Sequence, residues 1–192
     1  MTCWVVTPVK APDACKTRLA PALGEAERRT LVASMLRRVF EAASGARGVD
    51  EVLLLGPARH GLFAAVRLLA DPGRGLNAAL ASARDVALAE GVERLVILSG
   101  DLPHLRAADV EALVALAPHE LGVAPDRGGM GTNALSLPLP SAAGFEFRYG
   151  EASCARHLEE AARLGLAARV VRSDGLGFDI DAPEDLAALA LP

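Results

Sequence analysis

The sequence predicts an α/β protein: one domain over residues 1–192, with a mostly parallel sheet and helices on both faces. Three observations carry this. Short apolar runs alternate with amphipathic stretches of helical period along the whole chain. The run Val92–Leu98 is apolar except for charges near its start, as in a central strand covered on both faces. The composition, 52% hydrophobic but only 4% aromatic, is rich in the Ala, Leu, Val and Gly of helices packed on such a sheet. A chain of 192 residues can bury one good core, and nothing in it resembles a linker.

Trp4-Val5-Val6 reads as the first strand. The loop Val9–Pro21 (V-K-A-P-D-A-C-K-T-R-L-A-P) leads to a helix over Glu25–Ala43, where Leu31, Val32, Met35, Leu36, Val39 and Phe40 share one face. Gly45 and Gly48 end it, Val52–Leu55 is a second buried strand, and Gly56-Pro57 turns the chain. A short helix through Leu62 and Ala65 and a brief strand Val66–Leu69 follow. The turn-rich Asp71–Gly75 then opens a long helix that ends near Gly91. After the central strand come a helix Ala107–Leu116, a strand Leu121–Ala124 and an apolar run Ala134–Leu137. A helix Cys154–Leu164 capped by Ser153, a strand Ala168–Arg172 and a last helix with Pro183 in its first turn complete the chain.

Candidate site residues fall at strand ends. In open α/β sheets, loops after the strands are where ligands and phosphates are held. Lys10 and Lys16 are the only lysines in the chain, against eighteen arginines, and both lie in the loop after the first strand. An ammonium is a compact charge on a flexible stem, and Arg18 adds a planar fork, so this loop suits a polyphosphate. Asp101, in Ser99-Gly100-Asp101-Leu102-Pro103, follows the central strand and is a candidate ligand for Mg²⁺, which prefers carboxylate oxygens and bridges to substrate phosphates. Asp179 and Asp181, at alternate positions, can complete that set for one or two ions. Asn77 carries a donor and an acceptor able to read a base edge, although a first-turn Asn is more often a local cap. Pro125–Asn133, with three glycines in four positions, can form an N–H cradle for an anion or a plain hinge. Tyr149–Ser153 is a second small cradle, with Ser153 at a helix N-terminus.

Other classes are disfavoured. A net charge of -4 with no polybasic tract argues against polymeric nucleic acid as a partner. The chain starts a strand almost at once and has no uncharged stretch of eighteen residues, so a soluble cytoplasmic protein without membrane contact is expected. Cys3, Cys15 and Cys154 are odd in number and lack metal spacing, so neither a disulfide framework nor a zinc site is expected, and Cys15 reads as a bystander thiol. The sequence leaves monomer and homodimer open.

The segments K-T-R-L-A-P, G-L-N-A-A-L, G-D-L-P, P-D-R-G-G-M-G-T-N-A-L, Y-G-E-A-S-C-A-R-H-L and D-I-D-A-P-E-D-L occur in this order over nearly the whole chain. Together they resemble the 2-phospho-L-lactate or phosphoenolpyruvate guanylyltransferase family. The first and last segments also resemble other nucleotidyltransferases and glycosyltransferases of the same fold, and the G-T-N-A-L with Y-G-x-x-S pair narrows the match. The resemblance implies a GT-A-like nucleotidyltransferase fold. It also implies transfer of GMP from GTP to a phosphorylated three-carbon acid, with release of pyrophosphate, in coenzyme F-420 biosynthesis. It places the acid contacts on Thr132, Gly150 and Ser153 and the metal aspartates on Asp101, Asp179 and Asp181. The chain departs from the family pattern at Ala152 and Cys154, where Gly and Phe are usual, and at Ala182, where Thr is usual. The first two are expected to stiffen the turn and alter which acid fits, the third to remove a helix cap.

The chemistry of the residues agrees. A phosphate monoester has its second pKa near 6, so the acceptor is already a dianionic nucleophile and needs no general base. The task left is to bring two anions together, which suits Lys10, Lys16 and Arg18 on the nucleotide phosphates, Lys16 and Asp101 at the reacting centre, and Asn77 at the base. A molybdopterin-type nucleotidyltransferase or a sugar-nucleotide glycosyltransferase would share the fold and metal site without the acid pocket. A non-catalytic nucleotide-binding module could dispense with the carboxylates.

Overall fold

The computed structural model describes residues 1–11, 15–62 and 64–189. Seven strands, β1 (Cys3–Pro8), β2 (Glu51–Leu55), β3 (Arg67–Leu69), β4 (Arg94–Leu98), β5 (Glu120–Pro125), β6 (Thr132–Pro138) and β7 (Ala167–Val170), form one sheet in the order β3-β2-β1-β4-β6-β5-β7. Neighbours are parallel except where β6 runs antiparallel to β4 and β5. The helices are α1 (Glu25–Ser44), α2 (Leu76–Ala89), α3 (Ala107–Val114), α4 (Ser153–Arg163), α5 (Asp174–Gly177) and α6 (Pro183–Leu189).

The period of two along the strands sends alternate residues into separate cores. Trp4, Val6, Leu95 and Ile97 pack with Leu80, Ala83 and Ala161 of α2 and α4 on one face. Cys3, Val5, Val96 and Leu98 pack with Val39, Ala43, Val110 and Leu113 of α1 and α3 on the other. Both faces of β4 are therefore fully buried, which is why its sequence shows no alternation. The chain runs from β1 through α1 to β2 on one side, whereas β4 joins β1 on the other. The C-terminal ends of β1 and β4 thus flank a topological switch point, where a crevice opens above the sheet.

One local expectation is corrected. The segment through Leu62 and Ala65 is a series of turns in its described residues, with His60 and Gly61 at φ 48 and 79, and residue 63 lies outside them. A run this short between turns cannot offset the cost of helix nucleation. Residues 12–14 of the loop Val9–Pro21 also lie outside the described residues.

Arg94, wholly buried, ties α3 to the sheet. Its guanidinium donates to Ser136 Oγ (2.8 Å) and to the Ala117, Leu116 and Glu120 carbonyls (2.7, 3.2 and 3.3 Å), beyond the end of α3 where orphan carbonyls attract a cation. Burial holds its pKa below the usual arginine value despite the nearby Cys3 and Glu120. Arg94→Leu strands these carbonyls in the interior, so the urea-unfolding free energy is expected to fall by about 3 kcal/mol. A loss under about 1 kcal/mol would show that the carbonyls find other partners.

Candidate active site

At the switch point the chain leaves β1 into the loop that carries both lysines. Lys16 adopts a left-handed conformation (φ 50, ψ 41) just before a 3-10 turn over Thr17–Leu19, and its carbonyl accepts the Leu19 N–H at 3.0 Å. That conformation costs a non-glycine residue about 1 kcal/mol. The side chain is held in place by ion pairs: its ammonium contacts Asp101 Oδ2 and lies 2.8 Å from Asp181 Oδ1, with only 13% of the side chain exposed. Burial, the largest single influence, pulls the Lys16 pKa down, but the two carboxylates together outweigh it and hold the pKa above the usual lysine value. Lys16 is therefore a permanent cation. Arg18 reaches to 3.8 Å from Asp181 Oδ2 with its side chain 80% exposed. Lys10 stands on the rim, its carbonyl accepting a hydrogen bond from His60 Nε2 at 2.7 Å. Lys10, Lys16, Arg18, Asp101 and Asp181 line one cleft of about 360 Å³.

Gly100 lets the end of β4 approach α1, since a Cβ there would lie 2.8 Å from Leu36 Cδ2 and 3.3 Å from Thr7 Cγ2. Asp101 Oδ1 is buried and has no hydrogen-bond partner among the described residues. Asp179 accepts from Asn133 Nδ2 at 3.3 Å, and burial first, then the charges of Asp101 and Asp181, raises its pKa above the usual carboxylate value. Among the described residues no three His, Cys, Asp or Glu side chains stand as a ready metal-binding group. The donors nevertheless fit Mg²⁺, which needs only one or two carboxylates and completes its shell with phosphate oxygens and water. An unpartnered Asp101 oxygen is such a donor. Ala182, where a capping hydroxyl was expected to be missed, instead donates its N–H to Asp185 Oδ2 at 2.8 Å, and Asp181 N–H donates to the same oxygen at 2.9 Å. Asp185 caps α6 and fixes the backbone that carries Asp181.

Thr132 and Ser153 meet at the start of β6. Ser153 is not the N-cap expected of it: Ala152 takes that position at φ 51, and no side chain caps the helix. The Ser153 hydroxyl lies 3.2 Å from Thr132 Oγ1, which also lies 3.0 Å from His157 Nδ1. The expected N–H cradle of Pro125–Asn133 is likewise corrected. Met130 and Gly131 each donate to the Asp126 carboxylate at 2.9 Å, so the loop closes on its own acid and serves as the hairpin between β5 and β6. Asn77 spends its amide on the backbone of Tyr149, accepting from N–H at 2.9 Å and donating to C=O at 3.2 Å. It thereby clasps the loop that carries Gly150 (φ 129), and keeps one N–H and one lone pair exposed. His157, fully buried, holds the other side of that loop by accepting the Arg148 N–H on Nε2 at 3.0 Å. Sequence reasoning passed over His157. The signal was its spacing of four from Ser153, one turn along the same helix face.

The cleft and the hydroxyl pair lie on opposite sides of one link: Asn133, next to Thr132, reaches Asp179, and its carbonyl accepts the Ser99 N–H at 2.8 Å. The family described as guanylyl transferase CofC like matches residues 3–191. The chain belongs to this family. Among relatives of this CofC-like protein, a phosphoenolpyruvate guanylyltransferase of Sphaerobacter thermophilus is 44% identical, the match covering 99% of this chain and 93% of that one. A 2-phospho-L-lactate guanylyltransferase of Methanothermobacter thermautotrophicus is 37% identical over 99% and 84%. A solved nucleotidyl transferase of Methanothermobacter, 14% identical, superposes with a TM-score of 0.67 over 98% of this chain and 95% of its own, in keeping with the GT-A-like fold.

The burial of His157 sets a pH dependence. Desolvation pushes its pKa down to about 4 from 6.5, against the opposing charge of Glu160. Below pH 6.5 the unfolded chain takes up a proton that the folded CofC-like protein refuses until about pH 4. Stability present above pH 6.5 is thus lost as the pH falls through that window, by up to about 3 kcal/mol. Urea titrations at a series of pH values are expected to show a shallower acid slope in His157→Gln than in the wild type; identical slopes would refute the assignment.

Proposed function

We propose that this protein transfers GMP from GTP to the phosphate of a small phosphorylated three-carbon acid, 2-phospho-L-lactate, phosphoenolpyruvate or 3-phosphoglycerate, and releases pyrophosphate, as a step of coenzyme F-420 biosynthesis. The observation that carries this reading is Lys16, clamped between Asp101 and Asp181 at the switch point of a CofC-like chain. An oxygen of the acid's phosphate attacks the α-phosphorus of GTP, the bond to the β-phosphate oxygen breaks, and pyrophosphate leaves with that electron pair. The dianionic acceptor needs no base to remove a proton. What it needs is relief from repulsion. Lys16 supplies a fixed charge at the reacting centre, and Lys10 and Arg18, both exposed, can close on the triphosphate. Mg²⁺, held by Asp101 with Asp179 and Asp181, would supply Lewis-acid neutralisation of the phosphates. Thr132, the Gly150 backbone and Ser153 hold the acid. Asn77, first read as a base contact, clasps the loop that carries Gly150.

The reading places the enzyme in the cytoplasm, as a monomer or homodimer. Among the described residues no helix is long and apolar enough to cross a membrane.

Pyrophosphate release from GTP and Mg²⁺, with each acid offered separately, tests the function; release with none of the three would overturn it. Lys16→Ala is expected to lower kcat/KM by at least ~100-fold with the fold intact by circular dichroism, and an unchanged rate would remove the loop from the mechanism. Asp101→Asn is expected to abolish Mg²⁺-dependent turnover. Ser153→Ala should raise the acid KM about tenfold while the GTP KM holds, since a hydrogen bond to a charged group is worth about 1.5 kcal/mol or more. Parallel loss of both affinities with a lowered melting temperature would make Ser153 merely structural.

A further inference from the structure

Thr132, Ser153 and His157 hold one hydrogen more than their mutual contacts use. His157 Nε2 lies 3.0 Å from the Arg148 backbone N–H, which can only donate, so Nε2 offers a lone pair and carries no hydrogen. The neutral ring therefore bears its hydrogen on Nδ1 and donates it to Thr132 Oγ1 at 3.0 Å. Burial favours the neutral ring, since it pushes the pKa down to about 4. The Nδ1–H and the two hydroxyls supply three hydrogens, while the contacts among them, His157 to Thr132 and Ser153 with Thr132, consume two.

One hydroxyl hydrogen is left over. It belongs to Thr132 when Ser153 donates to it, and to Ser153 when the direction is reversed. Neither hydroxyl has a further acceptor among the described residues. The opposite tautomer would behave differently. Nε2–H would face the Arg148 N–H hydrogen to hydrogen, Nδ1 would accept from Thr132, and Thr132 would accept from Ser153. The pair, itself buried, would then have only lone pairs left to offer, which repels an anion.

We infer that His157 is a positioning residue whose Nδ1–H tautomer makes the Thr132–Ser153 pair a hydrogen-bond donor to an anionic oxygen of the acid substrate. This rests on the reading of that pair as the acid site. The lock is set by the loop itself, because the amide that fixes the tautomer belongs to Arg148, two residues before Gly150, and the next residue, Tyr149, is gripped by Asn77 and packs its ring edge-on to His157 at 4.8 Å. A displaced loop would release the tautomer and with it the donor.

Two measurements test this. In ¹⁵N-histidine-labelled wild-type protein at pH 7, long-range proton–nitrogen spectra are expected to show His157 with Nδ1 protonated and Nε2 bare; hydrogen on Nε2, or on both nitrogens, would overturn the assignment. Kinetically, His157→Phe removes the donor, whereas His157→Asn returns an amide N–H near the Nδ1 position. The Phe variant is expected to raise the acid KM about tenfold or more at unchanged GTP KM, and the Asn variant to recover most of that loss. Equal losses in both variants, with the GTP KM moving alongside, would reduce His157 to a packing role. Should a variant fail to fold, the tautomer spectrum of the wild type still decides. If the wild type released pyrophosphate with none of the acids, the functional reading would fall and the acid as recipient of this hydrogen with it, while the spectrum would still judge the hydrogen-bond assignment.

Discussion

The site is organised by one buried cation. Lys16 sits between a carboxylate 85 residues away at the end of β4 and another 165 residues away before α6. An ammonium so little exposed is tolerable only where carboxylates compensate its lost hydration, and each carboxylate in turn is held by that ammonium. The three segments are consequently interdependent. The loop after β1 accepts a strained backbone at Lys16, Gly100 just beyond β4 passes close against Leu36 and Thr7 before Asp101, and Asp185 spends its carboxylate on the backbone of Asp181 and Ala182. Each of these features has its own local role, and together they seat one positive charge.

A second constraint is the reversal of β6. In an all-parallel sheet only C-terminal strand ends reach the crevice, but antiparallel β6 delivers its N-terminal end to the same edge. Consecutive residues there point to opposite faces. Thr132 turns to α4, where Ser153 and His157 wait, while Asn133 turns to the Leu176 carbonyl (2.9 Å) and Asp179. A single strand end thereby couples the hydroxyl pair to the carboxylate cluster, two groups that the sequence separates by dozens of residues.

This division explains what the sequence disclosed. Strands and long helices were legible because burial on one or two faces imposes its period directly: the face of α1 and the unbroken run of β4 stand at their expected positions. The loop lysines and the acid runs stood out because their residue types are rare or chemically pointed; the structure gathers Lys10, Lys16, Arg18, Asp101 and Asp181 along one cleft, while Asp179 turns to Asn133. Residues whose partners lie far away in sequence were misjudged. Asn77 looked free until Tyr149 was found on it, the glycine loop looked like a cradle until Asp126 filled it, and Ser153 looked like a cap until Thr132 claimed its hydroxyl. A side chain's motif marks its capacity for hydrogen bonds; only the fold says where that capacity is used.

The same logic bears on the two departures from the family pattern beside Ser153. Ala152 was expected to stiffen the turn, yet it occupies the left-handed region at φ 51 that a glycine would take freely. The cost is about 1 kcal/mol of strain. Cys154 faces the core, 6% exposed, with its N–H on the Met130 carbonyl at 3.1 Å, so its side chain is directed into packing instead of toward a ligand. Neither side chain is therefore placed as a direct contact to a ligand by these observations. In the proposed function a hydroxyl pair and a glycine backbone meet the anionic oxygens that all three candidate acids share. Discrimination among the acids must then come from side chains that meet the carbon skeleton, not from the residues that grip its charge.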